Sequence, residues 1–212
     1  MSDLAIFDVN PAARVKSESP LAVSRVEVAA LGSAQGAGVV VRERAFLGHL
    51  ILRGNASDEA FVAGVEQALG LPLPHKAGGL SLDPNGESSI QWISPDEWLV
   101  IVPGGREFAT EKRLRERLSG HFAVMNVSGG QTVLELSGPS VREVLMKSTP
   151  YDVHPRNFPV GKGVGSVFAK STALIRRVDE ARWELVVRRS FADYLYRWVL
   201  DASEEFGVFV VG

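Results

Sequence analysis

The chain contains no cysteine. That excludes disulfides, thiol nucleophiles, and zinc or iron–sulfur centres held by thiolates. Long apolar runs are missing too: nothing approaches the ~18 residues a membrane-spanning helix needs. The first residues, MSDLAIFDVNPAARVKSESP, have no basic start followed by a long apolar stretch. The expectation is a soluble, unexported, cytoplasmic protein. Charge of one sign is also absent, because 23 basic and 25 acidic residues leave a formal charge of −2. Neither nucleic acid nor an anionic membrane is implied as a partner.

Motifs that carry chemistry are equally scarce. Gly36-Ala37-Gly38 and Gly161-Lys162-Gly163-Val164-Gly165 do not complete G-x-G-x-x-G, and no glycine stands five residues before Gly161 to make a phosphate loop. Turns explain these glycines through their φ freedom. His49, His75, His121 and His154 form neither H-x-H nor H-E-x-x-H, so no sequence-local metal site is supported. Ser128 precedes Gly129-Gly130 without forming G-x-S-x-G, and reads as a turn serine. No catalytic, cofactor-binding or metal-ligating residue is therefore assigned to this chain.

What is present reads as a globular α+β protein. At 212 residues the chain can bury a substantial core, as one large domain or two small ones. Residues 91–147 form its organising unit. Ile90, Trp92 and Ile93 lead into the turn Ser94-Pro95-Asp96-Glu97. Trp98-Leu99-Val100-Ile101-Val102 follows, too apolar for a strand covered on one side only. Gln131–Ser137 alternates, and Ser137-Gly138-Pro139 opens a helix whose Val141, Val144 and Leu145 face inward. Hairpin and helix are expected to share a core.

Around this unit, β runs are expected over 23–31, 37–42 and 46–53, and later over 165–170, 172–178 and 182–189. Ser57 is a candidate cap for a helix with Phe61, Val65, Ala68 and Leu69 on its buried face, stopped by Gly70 and Pro72. Residues 71–89 read as a surface loop. Residues 106–119 read as an outer helix with Phe108, Leu114 and Leu118 buried, and 149–165 as irregular. Ser190 and Asp193 fit a capping box opening a last helix. Its apolar face is Phe191, Leu195, Trp198, Val199, Ala202 and Phe206. Asp96-Glu97-Trp98 is faintly echoed by Asp179-Glu180 and Trp183. Hairpins each closed by a helix imply mainly antiparallel sheets rather than a doubly wound fold. Arg176, Arg177, Arg182, Arg188 and Arg189 fit either bidentate pairing with a carboxylate ligand or a solvated, protein-contacting face.

The strings WISPDEWL, NVSGGQTVLELSGPSVREVL and SFADYLYRWVLDASEEFG resemble the gamma subunit of heterotetrameric bacterial sarcosine oxidase. That family is itself similar to the folate-binding T-protein of the glycine cleavage system. Residues 1–20, mixed in composition with Pro11, Pro20 and a Lys16-Ser17-Glu18-Ser19 break between short apolar patches, read as an arm. The resemblance runs from about Ser19 to Phe206 and implies a T-protein-like region over 21–212. A division of that region into 21–120 and 121–212 is left open. It also implies a non-catalytic subunit with alpha, beta and delta partner chains. The assembly would oxidise sarcosine with O2 to glycine and H2O2, giving 5,10-methylenetetrahydrofolate. FAD, FMN, NAD, zinc and tetrahydrofolate would all sit on the other subunits. T-protein-like folate binders carry a T-G-E-x-G-[aromatic]-E turn, matched here by Val178 to Glu184. Glu180, Trp183 and Glu184 agree, whereas Asp179 and Arg182 replace both glycines. The turn then reads as a relic of shared fold, and a stand-alone folate-binding or aminomethyltransferase-like protein as the alternative.

Overall fold

A computed structural model describes residues 17–24 and 35–211. In chain order the strands are β1 (Val39–Arg44), β2 (Gly48–Arg53), β3 (Leu80–Leu82), β4 (Ser89–Ser94), β5 (Glu97–Val102), β6 (Ala123–Asn126), β7 (Gln131–Ser137), β8 (Lys162–Phe168), β9 (Ser171–Arg177), β10 (Arg182–Arg188) and β11 (Val208–Val211). The helices are α1 (Glu59–Leu69), α2 (Glu107–Arg117), α3 (Val141–Ser148) and α4 (Ala192–Ser203). One sheet has the order β11-β1-β7-β10-β9-β8 and the other β3-β4-β5-β2-β6. Named strands pair antiparallel except β1 with β11, where Val39 faces Val208 in parallel register. The expected α+β class with mainly antiparallel sheets is what the chain adopts.

The apolar run in β5 explains the layering. Trp98, Val100 and Val102 pack with Phe61 and Val65 of α1 and Leu114 of α2. The alternate residues Leu99 and Ile101 meet Val133 and Val186 of the other sheet. Beyond that sheet, Leu134, Leu136 and Leu185 pack on Val144 and Leu145 of α3 and Leu195 and Val199 of α4. The result is helices, sheet, sheet, helices, with β5 covered on both faces. The organising unit is consequently split between layers. Its hairpin β4–β5 belongs to the core under α1 and α2 and its helix α3 to the other, so the two do not share a single core. The two echoed segments are corresponding turns, β4–β5 and β9–β10, one in each sheet.

Several local expectations give way to tertiary partners. Asp58, not Ser57, caps α1, accepting from the N–H groups of Ala60 at 2.9 Å and Phe61 at 3.4 Å. Asn55 already holds the Ser57 N–H at 2.9 Å in a local turn. Gly70 ends the helix in the left-handed conformation as expected. Pro139 lies ahead of α3 rather than in its first turn, and no side chain caps that helix. Its entry is pinned instead by backbone: the Ser140 N–H donates to the Gly38 carbonyl at 3.0 Å. A Cβ on Gly138 would fall 2.4 Å from that same oxygen. The capping box at Ser190 and Asp193 does not form. A 3-10 turn, Arg189–Phe191, precedes α4, and the Asp193 carboxylate is taken by Ser24 and Arg197.

Phe108 is exposed, and Thr110 with Leu114 fills the buried face of α2. Likewise Phe191, expected on the buried face of the last helix, is exposed in the 3-10 turn that precedes α4. The loop expected over 71–89 contains β3, and the irregular segment after Thr149 ends at Lys162, where β8 begins. Ala22–Ser24 are helical where a strand was expected from Val23, because the Ser19 hydroxyl accepts the Leu21 N–H at 3.0 Å and starts a turn. The rest of that expected strand, and residues 1–16 of the arm, lie outside the described residues.

Candidate functional site

Two polar features sit between the sheets. At one end lies a buried charge cluster built from strands of both. Arg176 of β9 donates to Glu184 of β10 at 2.6 Å and to the Ser89 hydroxyl of β4 at 3.1 Å. Arg44 of β1 donates to the other Glu184 oxygen at 2.6 Å and to the Gly86 carbonyl at 3.2 Å. One carboxylate thus receives two guanidinium groups, one per oxygen, the arrangement that recovers most of the cost of burying it. Burial pushes Arg176 down from its ordinary value, and the neighbouring Glu184 acts against that.

His49 of β2 lies beside this cluster and is 1% exposed. Burial lowers its pKa to about 4; the hydrogen bond to the Leu47 carbonyl opposes this, and the nearby Arg176 charge adds to it. The imidazole is therefore neutral near pH 7, with Nδ1 as donor to Leu47 O at 3.0 Å. Ser128 accepts the His49 N–H at 3.0 Å, a fold-holding contact that matches the turn serine expected there. Gln91 donates to the carbonyls of Gly79 and Trp92, at 3.1 and 3.0 Å. Its oxygen occupies the place of a side chain at Gly163, where a Cβ would fall 2.0 Å away.

At the other end the sheets splay into an open cleft of about 1010 Å³. Ile51, Leu99, Leu174 and Val186 wall it, and Glu97, Lys162 and Arg188 supply its charges. The corner near β3 and β8 is stitched by backbone: Gly163 N–H donates to Gly78 O at 2.8 Å and Leu80 N–H to Gly161 O at 2.9 Å.

The family-like turn does not line this cleft. Its matching residues diverge. Glu180 is 85% exposed at its side chain and pairs with Arg177 at 2.5 Å. Trp183 packs on Phe158 beneath the helices, at 4.9 Å between ring centroids, and Glu184 enters the charge cluster. Arg182 is held by Asp179 in the turn itself. The arginine set also separates. Arg176 and Arg177 are buried, contrary to a solvated row, with Arg177 donating to Phe158 O at 3.0 Å. Arg189 donates to Glu18 O at 3.1 Å, while Arg188 remains exposed at the cleft. His75, His121 and His154 are exposed and dispersed, and among the described residues no group of three or more His, Cys, Asp or Glu is placed to hold a metal ion.

A family model described as sarcosine oxidase, gamma subunit family, matches residues 53–205. The chain belongs to the sarcosine oxidase gamma subunit family. The gamma subunit from an Arthrobacter species is 38% identical over 184 residues, covering 85% of this chain and 87% of that one. A chain of the heterotetrameric sarcosine oxidase from Corynebacterium sp. U-96 superposes with a TM-score of 0.81 at 30% identity, covering 92% of this chain and 99% of that one. The glycine cleavage aminomethyltransferase T from Bartonella henselae shares the fold. Its TM-score is 0.65 at 15% identity, over 91% of this chain and 58% of that one. The gamma subunit family and the T-protein therefore share an architecture, which is the relation the residues around Trp98 and Val133 suggested.

Proposed function

We propose that this chain is the gamma subunit of a heterotetrameric sarcosine oxidase and completes that assembly without supplying a catalytic group. The reading is carried by the superposition on a chain of the solved heterotetramer over 99% of that chain's length. The assembly oxidises sarcosine with O2 to glycine and H2O2 and transfers the one-carbon unit to tetrahydrofolate as the 5,10-methylene adduct. Alpha, beta and delta chains are the partners, and FAD, FMN, NAD, zinc and tetrahydrofolate belong to them. The complex is cytoplasmic, with neither nucleic acid nor membrane as a partner. The internal chemistry of this chain supports a scaffold role, since the buried Arg176 pairs with Glu184 and the buried Arg177 and Gln91 donate to backbone carbonyls.

The test is purification from the native host through a tag on this chain. Three further chains and flavin absorbance in the eluate are expected, and deletion of this chain should abolish assembly and turnover. A colourless, solitary chain that binds tetrahydrofolate, and loses that binding on Glu180→Ala, would overturn the reading in favour of a folate-binding protein.

A further inference from the structure

The G-K-G-V-G stretch, read from sequence as a turn, extends into a strand, and its three glycines have different reasons to be there. Gly161 takes a left-handed φ of +80°, and Gly163 makes room for Gln91. Gly165 has neither reason. Its φ is not left-handed, and a Cβ added to it would meet nothing within 4 Å. Yet it stands in the middle of β8 and lines the cleft. A mid-strand glycine weakens its strand and marks a place where another molecule comes close.

Two further observations indicate what approaches. The first is the edge of β8. Gly163 directs its N–H away from β9, to Gly78, so the period of two turns the backbone groups of Gly165 and Val167 the same way. Among the described residues no backbone partner meets them there. Val167 is half exposed at that edge, and Ile93 stands across the cleft at an irregularity in β4. An open strand edge beside an apolar cleft is the template for adding an extended segment.

The second is charge. Glu97 has Arg53 at 3.7 Å, and Lys162 donates to Asn157 O at 2.6 Å with its ammonium over Tyr151. The Arg188 side chain has no hydrogen bond or ion pair among the described residues, so the cleft holds a cation free to take a carboxylate.

We propose that the cleft receives an extended apolar segment of another subunit of the oxidase. The segment pairs along the open edge of β8, sends a side chain into the space left by Gly165, and places a carboxylate on Arg188. This rests on the subunit reading above.

The experiment compares the tagged wild-type chain with Gly165→Val and Arg188→Glu, each replacing the native copy in its host. Neither variant should melt below the wild-type temperature when isolated, because among the described residues neither side-chain position has a partner to lose, and valine suits a strand better than glycine does. Each should retain at most about one tenth of the co-purifying flavin subunits. If the wild-type chain itself brings no flavin, the subunit reading fails. If the wild type brings it and both variants bring as much, the cleft proposal fails alone. A photo-crosslinking residue at position 167 should join this chain to a peptide of a different subunit. Crosslinking to a second copy of this chain, to its own residues 1–16, or to nothing would overturn the proposal.

Discussion

Arg176 donates to Glu184 at 2.6 Å with the two side chains only 2% and 1% exposed, and Ser89 of the opposite sheet completes the contact. The pair therefore helps set how the two sheets meet, in a layer otherwise held by a few aliphatic residues. Removing the Glu184 charge leaves Arg176 charged and dry, whereas removing Arg176 leaves Glu184 paired with Arg44 alone. Glu184→Gln should cost about 3–5 kcal/mol and Arg176→Met less. Replacing both, as Arg176→Met with Glu184→Leu, should cost clearly less than the sum. Urea denaturation of the two single variants and the double variant measures this, and additive losses would show that the pair does not act as a unit.

His49 makes stability depend on pH. Its folded pKa is lowered to about 4 from 6.5. Between those values the unfolded chain binds a proton that the folded chain refuses. Stability is thus full above about pH 6.5 and falls as the pH drops toward 4. The linkage predicts about 2 kcal/mol less stability at pH 5 than at pH 7 from this residue. Asp152, Asp179 and Asp193 have carboxyls held below their ordinary value of 3.8. They lose their contributions only as pH falls through that lower range. Denaturant titrations at the two pH values should show the drop in the wild type and its absence in His49→Leu.

The structure joins Gly163 to Gln91 across the sheets by sheer proximity, with the Gln91 oxygen 2.0 Å from where a Cβ would stand. Gly163→Ala should cost about 1–3 kcal/mol through overpacking. In a Gln91→Ala background the same change should be nearly neutral. Thermal melts of the four proteins give the coupling; an equal cost in both backgrounds would mean that backbone strain, not Gln91, excludes the methyl.

What was legible in sequence was whatever a short window decides. The Trp98–Val102 run could only be a doubly covered strand, and Leu195, Val199 and Ala202 repeat at helical spacing whatever surrounds them. Gly70 follows the last turn of α1 and ends it locally. Features set by distant partners were not legible. Asp193 suits a capping box until Ser24, 169 residues away, takes its carboxylate. Arg176 and Arg188 look alike in a row of arginines. One is buried against Glu184 and the other faces the cleft because β9 and β10 present them to different ends of the inter-sheet space. Gly161 and Gly165 are likewise the same letter, and only the left-handed φ of the first separates turn from strand.

Glu180 stands where the turn of T-protein-like folate binders has its first glutamate, the residue that resembles a pterin contact, and the geometry agrees with a relic of shared fold rather than a working pocket. A folate contact requires its carboxylate to face a pocket, but here it projects from the β9–β10 turn and meets Arg177. Arg177 has a second anchor in the Phe158 carbonyl and rests over Trp183, with 5.5 Å from the guanidinium carbon to the ring centroid. Its position therefore does not depend on Glu180. An ion pair with one partner in water typically contributes about 0.2–1 kcal/mol. Glu180→Ala should therefore lower stability only slightly and leave the folate dependence of the assembled oxidase unchanged. Trp183→Ala, which empties a position packed on Phe158, should cost about 3–5 kcal/mol. Melting curves for both variants, together with turnover of the complex at varied tetrahydrofolate, test this contrast. A shifted folate dependence in Glu180→Ala at unchanged stability would return the turn to a ligand-binding role.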